Sequence, residues 1–305
     1  IMSTAKVSVF VTTYNHENYI AQCLDSILSQ KTTFDFEIVI TDDASTDNTQ
    51  KIISDYKSKF GSIINEQLNT KNVGATVNCF QTLDRCKAEY IATLGGDDYW
   101  IDDNKLQKQI DALDANKDAV LHYTNCHKMT PNNEKSDALS FIPESQFDLN
   151  YYFDNNCFTI NPQTSVFRKD SLPTIWEDWM YNSINQDWIL FIMILKNGKA
   201  IFENEYPAVY RLHPTSVTHS MPKASYYING INTTKKLNEY INFKFKNVLN
   251  QYHWMYERIF FDYLKDKKYA SSFKYLILHV KNKGINLNFI KSTFKVIFKG
   301  YTPKF

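Results

Sequence analysis

The sequence lacks the cysteine patterns of zinc-binding and disulfide-rich proteins. Five cysteines are scattered along the chain without a C-x-x-C pair: Cys23, Cys79, Cys86, Cys126 and Cys157. Neither a zinc site nor a disulfide framework is therefore predicted. Reduced and mostly buried thiols in a cytoplasmic protein are the simplest interpretation.

Long apolar runs and a strong net charge are missing as well. No stretch reaches the roughly 18 apolar residues that a membrane-spanning helix needs, and no signal-peptide pattern precedes the first strand. The formal net charge is only +1, which gives no reason to expect a nucleic acid partner. We therefore expect a soluble, cytoplasmic protein.

Aromatic residues are abundant instead. They make up 15% of the 305 residues, and hydrophobic residues as a whole make up 43%. This is enough to build a substantial core. Because single cores stop growing near roughly 250 to 300 residues, the length predicts one large domain or a domain with an extension.

The first half of the chain alternates apolar strands with amphipathic helices. "KVSVFVTTYN" and "FEIVITDD" have the β-branched character of strands, and a helix pattern follows each of them. Asn15 is the predicted N-cap of the first helix, and Ser45 or Thr46 that of the second. Strands and helices with short joints predict an α/β fold with a parallel sheet, whose ligand crevice lies beyond the carboxyl ends of the strands.

Two adjacent acids stand at such a strand end. The apolar run from Tyr90 to Leu94 leads into two glycines, Asp97 and Asp98. Glycine lets the backbone approach a ligand, and neighbouring carboxylates repel each other unless a cation or a donor lies between them. Oxygen ligands suit Mg2+ or Mn2+ carrying substrate phosphates. A loop with solvated acids is the alternative for an isolated pair, but the strand context favours a metal site.

The second half offers one further acid of interest. Asp187 stands immediately before a long apolar helix pattern that stops at Gly198. An acid in that position stabilises a helix by about 0.3 to 1 kcal/mol, so a purely structural first-turn role is the alternative. The polar stretch from Thr130 to Asn150 predicts an exposed loop.

From about Lys223 the composition shifts to a helical pattern rich in Tyr, Phe, Asn and Lys. Near its end, apolar residues share one helical stripe: Phe289, Ile290, Phe294, Ile297 and Phe298. Two interpretations stay open, a helix packed on the rest of the protein and an interfacial helix on anionic lipid. Aromatic-rich helices would also suit an oligomer.

Four motifs resemble those of family-2 glycosyltransferases with the GT-A fold. They are "VSVFVTTYNHENYIAQCLDSILSQ", "EIVITDDASTDNT", "NVGATVN" and "YIATLGGDDYWIDDNKLQKQID", and Asp187 and "YRLHPTSVT" extend the resemblance to about Ser220. The resemblance implies a mostly parallel sheet flanked by helices. It places a catalytic domain at 1–222, with a nucleotide-sugar half at about 1–125 and an acceptor half at about 126–222. The Lys- and aromatic-rich helical extension, 223–305, lies outside it.

The resemblance also implies site residues. Asp97 matches the last acid of the family's D-x-D motif, and Gly95 replaces the first acid of that motif. By the same resemblance, Asp97 and His213 are ligands of Mn2+ or Mg2+. Asp187 matches the catalytic base of inverting members. The residues that match nucleotide-sugar contacts, or lie beside them, are Thr12, Tyr14, Glu17, Asp43, Asn72, Gly74, Asp98 and Arg211.

Together these features predict an inverting, metal-dependent hexosyl- or hexosaminyltransferase. It would move sugar from a UDP-linked donor to a glycan or lipid-linked acceptor in surface polysaccharide biosynthesis, in the cytoplasm or peripherally on the inner face of the cell membrane. The missing D-x-D acid keeps a non-catalytic sugar-nucleotide-binding protein as an alternative. A nucleotidyltransferase is less favoured, because it would need a basic loop that grips phosphate near the first strand, and "TTYNHEN" contains no Lys or Arg.

Overall fold

Apolar, β-branched runs build the centre of the protein. The computed structural model describes residues 5–139, 142–154, 160–213, 222–242, 248–283 and 293. Within these ranges the strands are β1 (Val7–Thr13), β2 (Phe36–Asp42), β3 (Ile64–Leu68), β4 (Tyr90–Gly95), β5 (Tyr99–Trp100), β6 (Ala119–Thr124), β7 (His127–Met129), β8 (Lys135–Asp137), β9 (Gln146–Phe147), β10 (Val166–Arg168), β11 (Lys199–Glu203) and β12 (Ala208–Arg211).

Amphipathic helices follow most of the long strands. In the same ranges they are α1 (Ile20–Leu28), α2 (Thr49–Phe60), α3 (Ala75–Arg85), α4 (Lys105–Ala115), α5 (Leu149–Asp154), α6 (Asp178–Tyr181), α7 (Gln186–Leu195), α8 (Lys223–Tyr240), α9 (Val248–Lys265) and α10 (Tyr269–Lys283). None of them is both long and apolar enough to cross a lipid bilayer.

The strands form a large sheet and a small one. The large sheet has the order β3-β2-β1-β4-β10-β6-β11-β9, and the small one has the order β5-β12-β7-β8. Strands β3, β2, β1 and β4 pair in parallel, whereas β10 is antiparallel to both of its neighbours. This mostly parallel sheet with helices around it confirms the predicted α/β class.

Register brings the polar strand ends to one edge of the large sheet. Thr12 of β1 pairs with Gly95 of β4, and Thr13 pairs with Asp42 of β2. Because the three strands run in parallel, the loops that follow them lie side by side. The motifs that are far apart in the sequence therefore meet at a single edge.

The described residues divide into two compact units. The first holds those up to Tyr152, residues 160–182 and Gln186–His213, and the second holds residues 153–154, Ser183–Asn185 and the described residues after His213. The predicted domain boundary at residue 222 stays a prediction. The predicted apolar stripe from Phe289 to Phe298 lies outside the described residues.

The predicted helix N-caps were wrong. Tyr19 and Asn48 are the N-cap residues of α1 and α2. Asn15 adopts a positive φ of 55°, and its side-chain oxygen accepts a hydrogen bond from the backbone NH of Thr46. Ser45 donates its hydroxyl to Asp42. These side chains join the loops after β1 and β2 to each other, so they are not available to cap a helix.

Two further expectations were partly met. The predicted loop from Thr130 to Asn150 contains the short strands β8 and β9. The four described cysteines, Cys23, Cys79, Cys86 and Cys126, are free and buried.

A buried lysine supports the loop that carries Asp97. Lys105 Nζ lies 4.3 Å from the centroid of the Trp100 ring and donates to Gln109 Oε1 at 2.5 Å. Trp100 in turn donates from its indole nitrogen to the Gln163 carbonyl at 2.8 Å. Burial lowers the pKa of Lys105 to about 7, since the ammonium loses its hydration.

We expect Lys105→Met to gain stability relative to wild type at pH 7, and this gain to shrink toward pH 9. Between the folded pKa of about 7 and the unfolded value of about 10.4, the unfolded wild type binds more protons at this residue than the folded protein. Wild-type stability therefore rises with pH through this window, and methionine removes that dependence. Urea unfolding at both pH values measures it, with the exposed Lys87→Met as control. A pH-independent difference would contradict the account.

Candidate active site

Three side chains from separate loops meet at the edge of the sheet between β1 and β4. Asp97 follows β4, His16 follows β1, and His213 follows β12. His213 Nε2 lies 3.0 Å from Asp97 Oδ2, and His16 Nε2 lies 3.8 Å from the same oxygen. The two imidazole rings are nearly perpendicular, at 89°, with centroids 6.0 Å apart.

The cluster has the composition of a metal site. The candidate ligand atoms of His16, Asp97 and His213 all lie within 4.8 Å of one another. One divalent ion could join them after small side-chain movements, and carboxylate and imidazole are common ligands of such ions. The structure thus brings the two predicted ligands, Asp97 and His213, together. It adds His16, whose position directly after β1 was the available signal.

Charge and burial oppose each other at Asp97. Burial acts to raise its pKa, but the hydrogen bond to His213 and the charge of His16 outweigh burial and hold the pKa below the usual range. Burial lowers the pKa of His16, although the charge of Asp97 opposes this. A neutral imidazole and an ionised carboxylate are the forms in which these side chains bind metals.

Asp98 turns away from the cluster. Its Oδ1 accepts the backbone NH of Arg211 at 2.8 Å, and the residue is only 2% exposed. Burial, and then the neighbouring charge of Asp97, raise the pKa of Asp98 well above its usual value. The side chain fastens the loop to β12, and its predicted contact with the nucleotide sugar stays a prediction.

Arg211 also serves this loop. Its guanidinium donates to the Asp97 carbonyl oxygen at 2.6 Å and to the side-chain oxygen of Gln22. The guanidinium carbon lies 4.3 Å from the centroid of the Tyr99 ring and 5.2 Å from the centroid of the Tyr19 ring. With these contacts Arg211 fixes the loop, and its predicted contact with a diphosphate stays a prediction.

Asp43 holds the turn that was predicted to flank the nucleotide base. Its two carboxylate oxygens accept the backbone NH groups of Val73 and Gly74 at 2.7 and 2.9 Å. Asn72 donates to the Asp43 carbonyl at 3.0 Å. Gly74 has a φ of 91°, which glycine adopts without strain. Each carboxylate oxygen retains a lone pair that a base could use.

Three further residues were predicted to contact the nucleotide sugar: Thr12 and Tyr14 lie at the edge of the large sheet, and Glu17 contacts the start of α2. Thr12 lies in the last part of β1, and Tyr14 is 43% exposed just beyond it. Glu17 instead accepts hydrogen bonds from the backbone and side chain of Asn48, at 3.0 and 2.7 Å. This supports the start of α2. A role of Glu17 toward a nucleotide stays a prediction.

Asp187 lies in the first turn of α7 and is partly buried. Burial raises its pKa to about 6, while the backbone NH of Trp188 acts in the opposite direction. The hydroxyl of Thr76, at the start of α3, donates to the side-chain oxygen of the preceding residue, Gln186, at 3.3 Å. The carboxylate thus stands on a different element from the Asp97 cluster, beside the helix that follows the Asn72–Gly74 turn.

Comparison with known proteins identifies the family. The sequence model of glycosyl transferase family 2 matches residues 8–176. The chain belongs to this family.

Curated relatives match much of the length of the chain. An uncharacterised Mycobacterium tuberculosis protein is 30% identical over 70% of the chain, which spans only 61% of that relative. TuaG of Bacillus subtilis, a glycosyltransferase assigned to teichuronic acid biosynthesis, is 29% identical over 72% of the chain and 84% of its own length. Escherichia coli WfaP, a UDP-Glc:alpha-D-GlcNAc-diphosphoundecaprenol beta-1,3-glucosyltransferase, is 32% identical over 70% of the chain and 79% of its own length.

Solved structures share the fold. S. aureus TarS 1-349 in complex with UDP-GlcNAc aligns with a TM-score of 0.58 and 16% identity, over 98% of this chain and 93% of the 1-349 chain. The mannosyltransferase PcManGT from Pyrobaculum calidifontis, in complex with GDP-Man and Mn2+, aligns with a TM-score of 0.56 and 14% identity, over 98% and 82%. The predicted GT-A fold is confirmed.

The opposite surroundings of Asp97 and Asp98 predict opposite effects of their amide variants. We expect Asp98→Asn to be at least as stable as wild type at pH 7 in EDTA, because the amide oxygen still accepts the Arg211 NH while a buried charge disappears. A raised folded pKa means that folded wild type binds more protons, so its stability falls as pH rises above about 3.9 and the variant's advantage grows.

Urea unfolding at pH 4 and pH 7 measures this difference. Asp97→Asn is the matched control, and we expect it to lose stability at pH 7 because it loses the carboxylate charge that His213 and His16 stabilise. A destabilised Asp98→Asn beside an unaffected Asp97→Asn would contradict these assignments.

Proposed function

We propose that this chain is an inverting glycosyltransferase that uses a UDP-sugar and transfers its sugar to a hydroxyl of a glycan or lipid-linked acceptor. The observation that carries the proposal is the convergence of Asp97 with two histidines at the carboxyl edge of the sheet, while Asp187 stands separately at the start of α7. Sugar transfer needs a site for the diphosphate and a separate proton acceptor.

Relatives support the substrate classes. WfaP is named for a UDP-glucose donor and a diphosphoundecaprenol-linked acceptor, and TarS was solved with UDP-GlcNAc. TuaG is named for teichuronic acid biosynthesis. We therefore propose a role in surface polysaccharide biosynthesis, with residues 1–222 as the catalytic domain and 223–305 as its extension.

Residues at the edge of the sheet would receive the donor. We propose that the Asn72–Gly74 turn, held by Asp43, borders the base, and that the diphosphate lies against Asp97 and His213. A divalent ion bound by these two residues would neutralise charge on the departing diphosphate. PcManGT, which was solved with GDP-Man and Mn2+, supports a metal in this fold.

Asp187 would act on the acceptor. With a pKa of about 6, its carboxylate is mostly ionised at neutral pH and still basic enough to take a proton. As the acceptor oxygen attacks the anomeric carbon, its proton passes to Asp187. The bond from that carbon to the diphosphate oxygen breaks, and the diphosphate leaves with the electron pair. Attack from the opposite face inverts the anomeric configuration.

One observation favours a second candidate function. Gly95 occupies the position of the first D-x-D acid, so the site has fewer carboxylates than the motif normally provides. The second candidate is a non-catalytic protein that binds sugar nucleotides, for which a metal site with a single motif acid would suffice. It would also have no use for a proton acceptor at Asp187.

Asp187→Asn is therefore the deciding substitution. We expect kcat for sugar transfer to fall by about 10²- to 10⁴-fold, while the Kd of the UDP-sugar stays unchanged, because the amide cannot accept the proton. UDP release and calorimetric donor binding measure the two quantities. Asp178→Asn, an exposed acid on α6, is the matched control. Unchanged turnover in Asp187→Asn would exclude this residue as the base.

The wild-type pH profile gives a second test of the same role. The ionised form of Asp187 is lost as pH falls through about 6, so transfer should slow by about tenfold per pH unit below that value and level off above it. A profile that is flat down to pH 4.5 would contradict proton acceptance by Asp187.

We also propose that the second unit touches an anionic membrane surface. Helix α10 exposes Tyr269, Phe273 and Ile277 at four-residue spacing, and the helix contains lysines but no acids. Apolar side chains beside lysines suit the boundary between lipid headgroups and acyl chains. This would place the enzyme on the inner face of the cell membrane, close to a lipid-linked acceptor.

Vesicle co-sedimentation tests this contact. We expect binding to vesicles with anionic lipid, weaker binding to neutral vesicles, and a clear loss in Phe273→Ser/Ile277→Ser. Ile175→Ser, an exposed apolar residue of the first unit, is the control. Equal sedimentation of all three proteins would remove the proposal.

A further inference from the structure

We infer that His16 is a third protein ligand of the donor-side metal ion and replaces the acid that is missing at Gly95. The site would then consist of one carboxylate and two imidazoles, and it would favour Mn2+ over Mg2+. This inference rests on the proposed function, because it concerns the ion that would accompany the donor diphosphate.

The backbone of His16 is fixed on both sides. Its NH donates to the hydroxyl of Thr49 at 2.8 Å, and its carbonyl accepts the NH groups of Tyr19 and Ile20, both at 2.9 Å. Asn15, immediately before it, is held by the loop after β2 through Ser45. The position is thus built from two loops and the start of α1. A preorganised backbone is what a metal ligand requires.

The ring of His16 is oriented as well. Its Nδ1 lies 3.1 Å from the hydroxyl of Thr13, so the opposite nitrogen, Nε2, faces Asp97 Oδ2. Metal-binding histidines usually hydrogen-bond through the nitrogen that does not bind the metal, which fixes the tautomer and the ring direction. Thr13 is therefore a positioning residue for His16.

The two glycines make this arrangement sterically feasible. A Cβ at Gly96 would lie 2.7 Å from Thr13 Cβ and 3.1 Å from His16 Nδ1. A Cβ at Gly95 would lie 2.7 Å from Asp97 Oδ1. Real contacts of this kind are longer, so a side chain at Gly96 would displace Thr13 and His16, and one at Gly95 would force the Asp97 carboxylate to move. Gly96 thus leaves room for the approach of His16, and Gly95 leaves room for the Asp97 carboxylate.

Ligand chemistry then decides the ion. Mg2+ demands oxygen ligands in near-ideal octahedral geometry. Mn2+ also binds oxygen, but as a softer ion it accepts imidazole nitrogen more readily than Mg2+ does. His16 and His213 each direct a ring nitrogen at Asp97 Oδ2. A site with two imidazole nitrogens should therefore retain Mn2+ in the presence of excess Mg2+. A site with two carboxylates should lose more of its Mn2+ to Mg2+ under the same conditions.

Direct Mn2+ binding tests the inference without recourse to turnover. The full chain is titrated with MnCl2 in the presence of UDP, and free Mn2+ is followed by electron paramagnetic resonance. We expect His16→Ala and His16→Gln to raise the Kd for Mn2+ by about tenfold or more, and Thr13→Val to raise it by less. His127→Ala, a histidine outside the cluster, should leave the Kd unchanged. Urea unfolding establishes that each variant is folded.

Pulsed electron paramagnetic resonance on the bound Mn2+ identifies the nitrogen ligands of the ion. Wild type should show ¹⁴N couplings from two imidazoles, and His16→Gln from one.

Unchanged Kd and unchanged nitrogen couplings in folded His16→Ala and His16→Gln would overturn the inference. So would a wild-type protein that binds no Mn2+ with UDP present. A transfer assay in EDTA separates this from the proposed function, because turnover that persists without metal leaves the glycosyltransferase intact and removes only the metal site.

Discussion

The close approach of the loop after β4 to the end of β1 is the constraint on which the site depends. Gly96 lies where any Cβ would press against Thr13, and its NH donates to the Thr12 carbonyl at 2.9 Å. This contact continues the parallel pairing of the two strands by one residue. It carries Asp97 to the loop that holds His16, so the geometry of the cluster follows from sheet register and from the absence of a side chain at residue 96.

A second consequence concerns the adjacent acids. Two carboxylates next to each other in sequence would repel each other if both faced the same space. Here Asp97 faces the histidines, and Asp98 faces the backbone of β12. Asp98 thereby helps bring Arg211, and the chain toward His213, to the edge. One acid organises the strand that leads to His213, while the other faces the two histidines.

Much of this could be predicted from the sequence. Strands β1, β2 and β4 are strong β-branched or apolar runs that end in polar motifs, so the sheet edge and the meeting of these motifs follow from local pattern alone. Strands β3 and β11 are short, and their residues alternate in no clear way, so their place in the sheet depends on tertiary pairing. The partners of Asn15 and Ser45 likewise lie in other loops.

For the candidate site, the sequence pointed to the motif residues but not to the long-range contacts between loops. Asp97, His213 and Asp187 each match a recognisable motif position, whereas His16 joins the cluster only because β1 and β4 are neighbours. The contacts of Glu17 with Asn48, and of Arg211 with Tyr99, were equally invisible to a pattern search. Long-range contacts of this kind become readable only when the order and register of the strands are known.

A crystal structure of the chain with UDP and Mn2+, with diffraction measured at the manganese edge, tests the central claim most directly. The account predicts one anomalous peak within bonding distance of His16 Nε2, the Asp97 carboxylate, His213 Nε2 and the diphosphate, with the uracil against the Asn72–Gly74 turn. A diphosphate bound away from this edge of the sheet would contradict it.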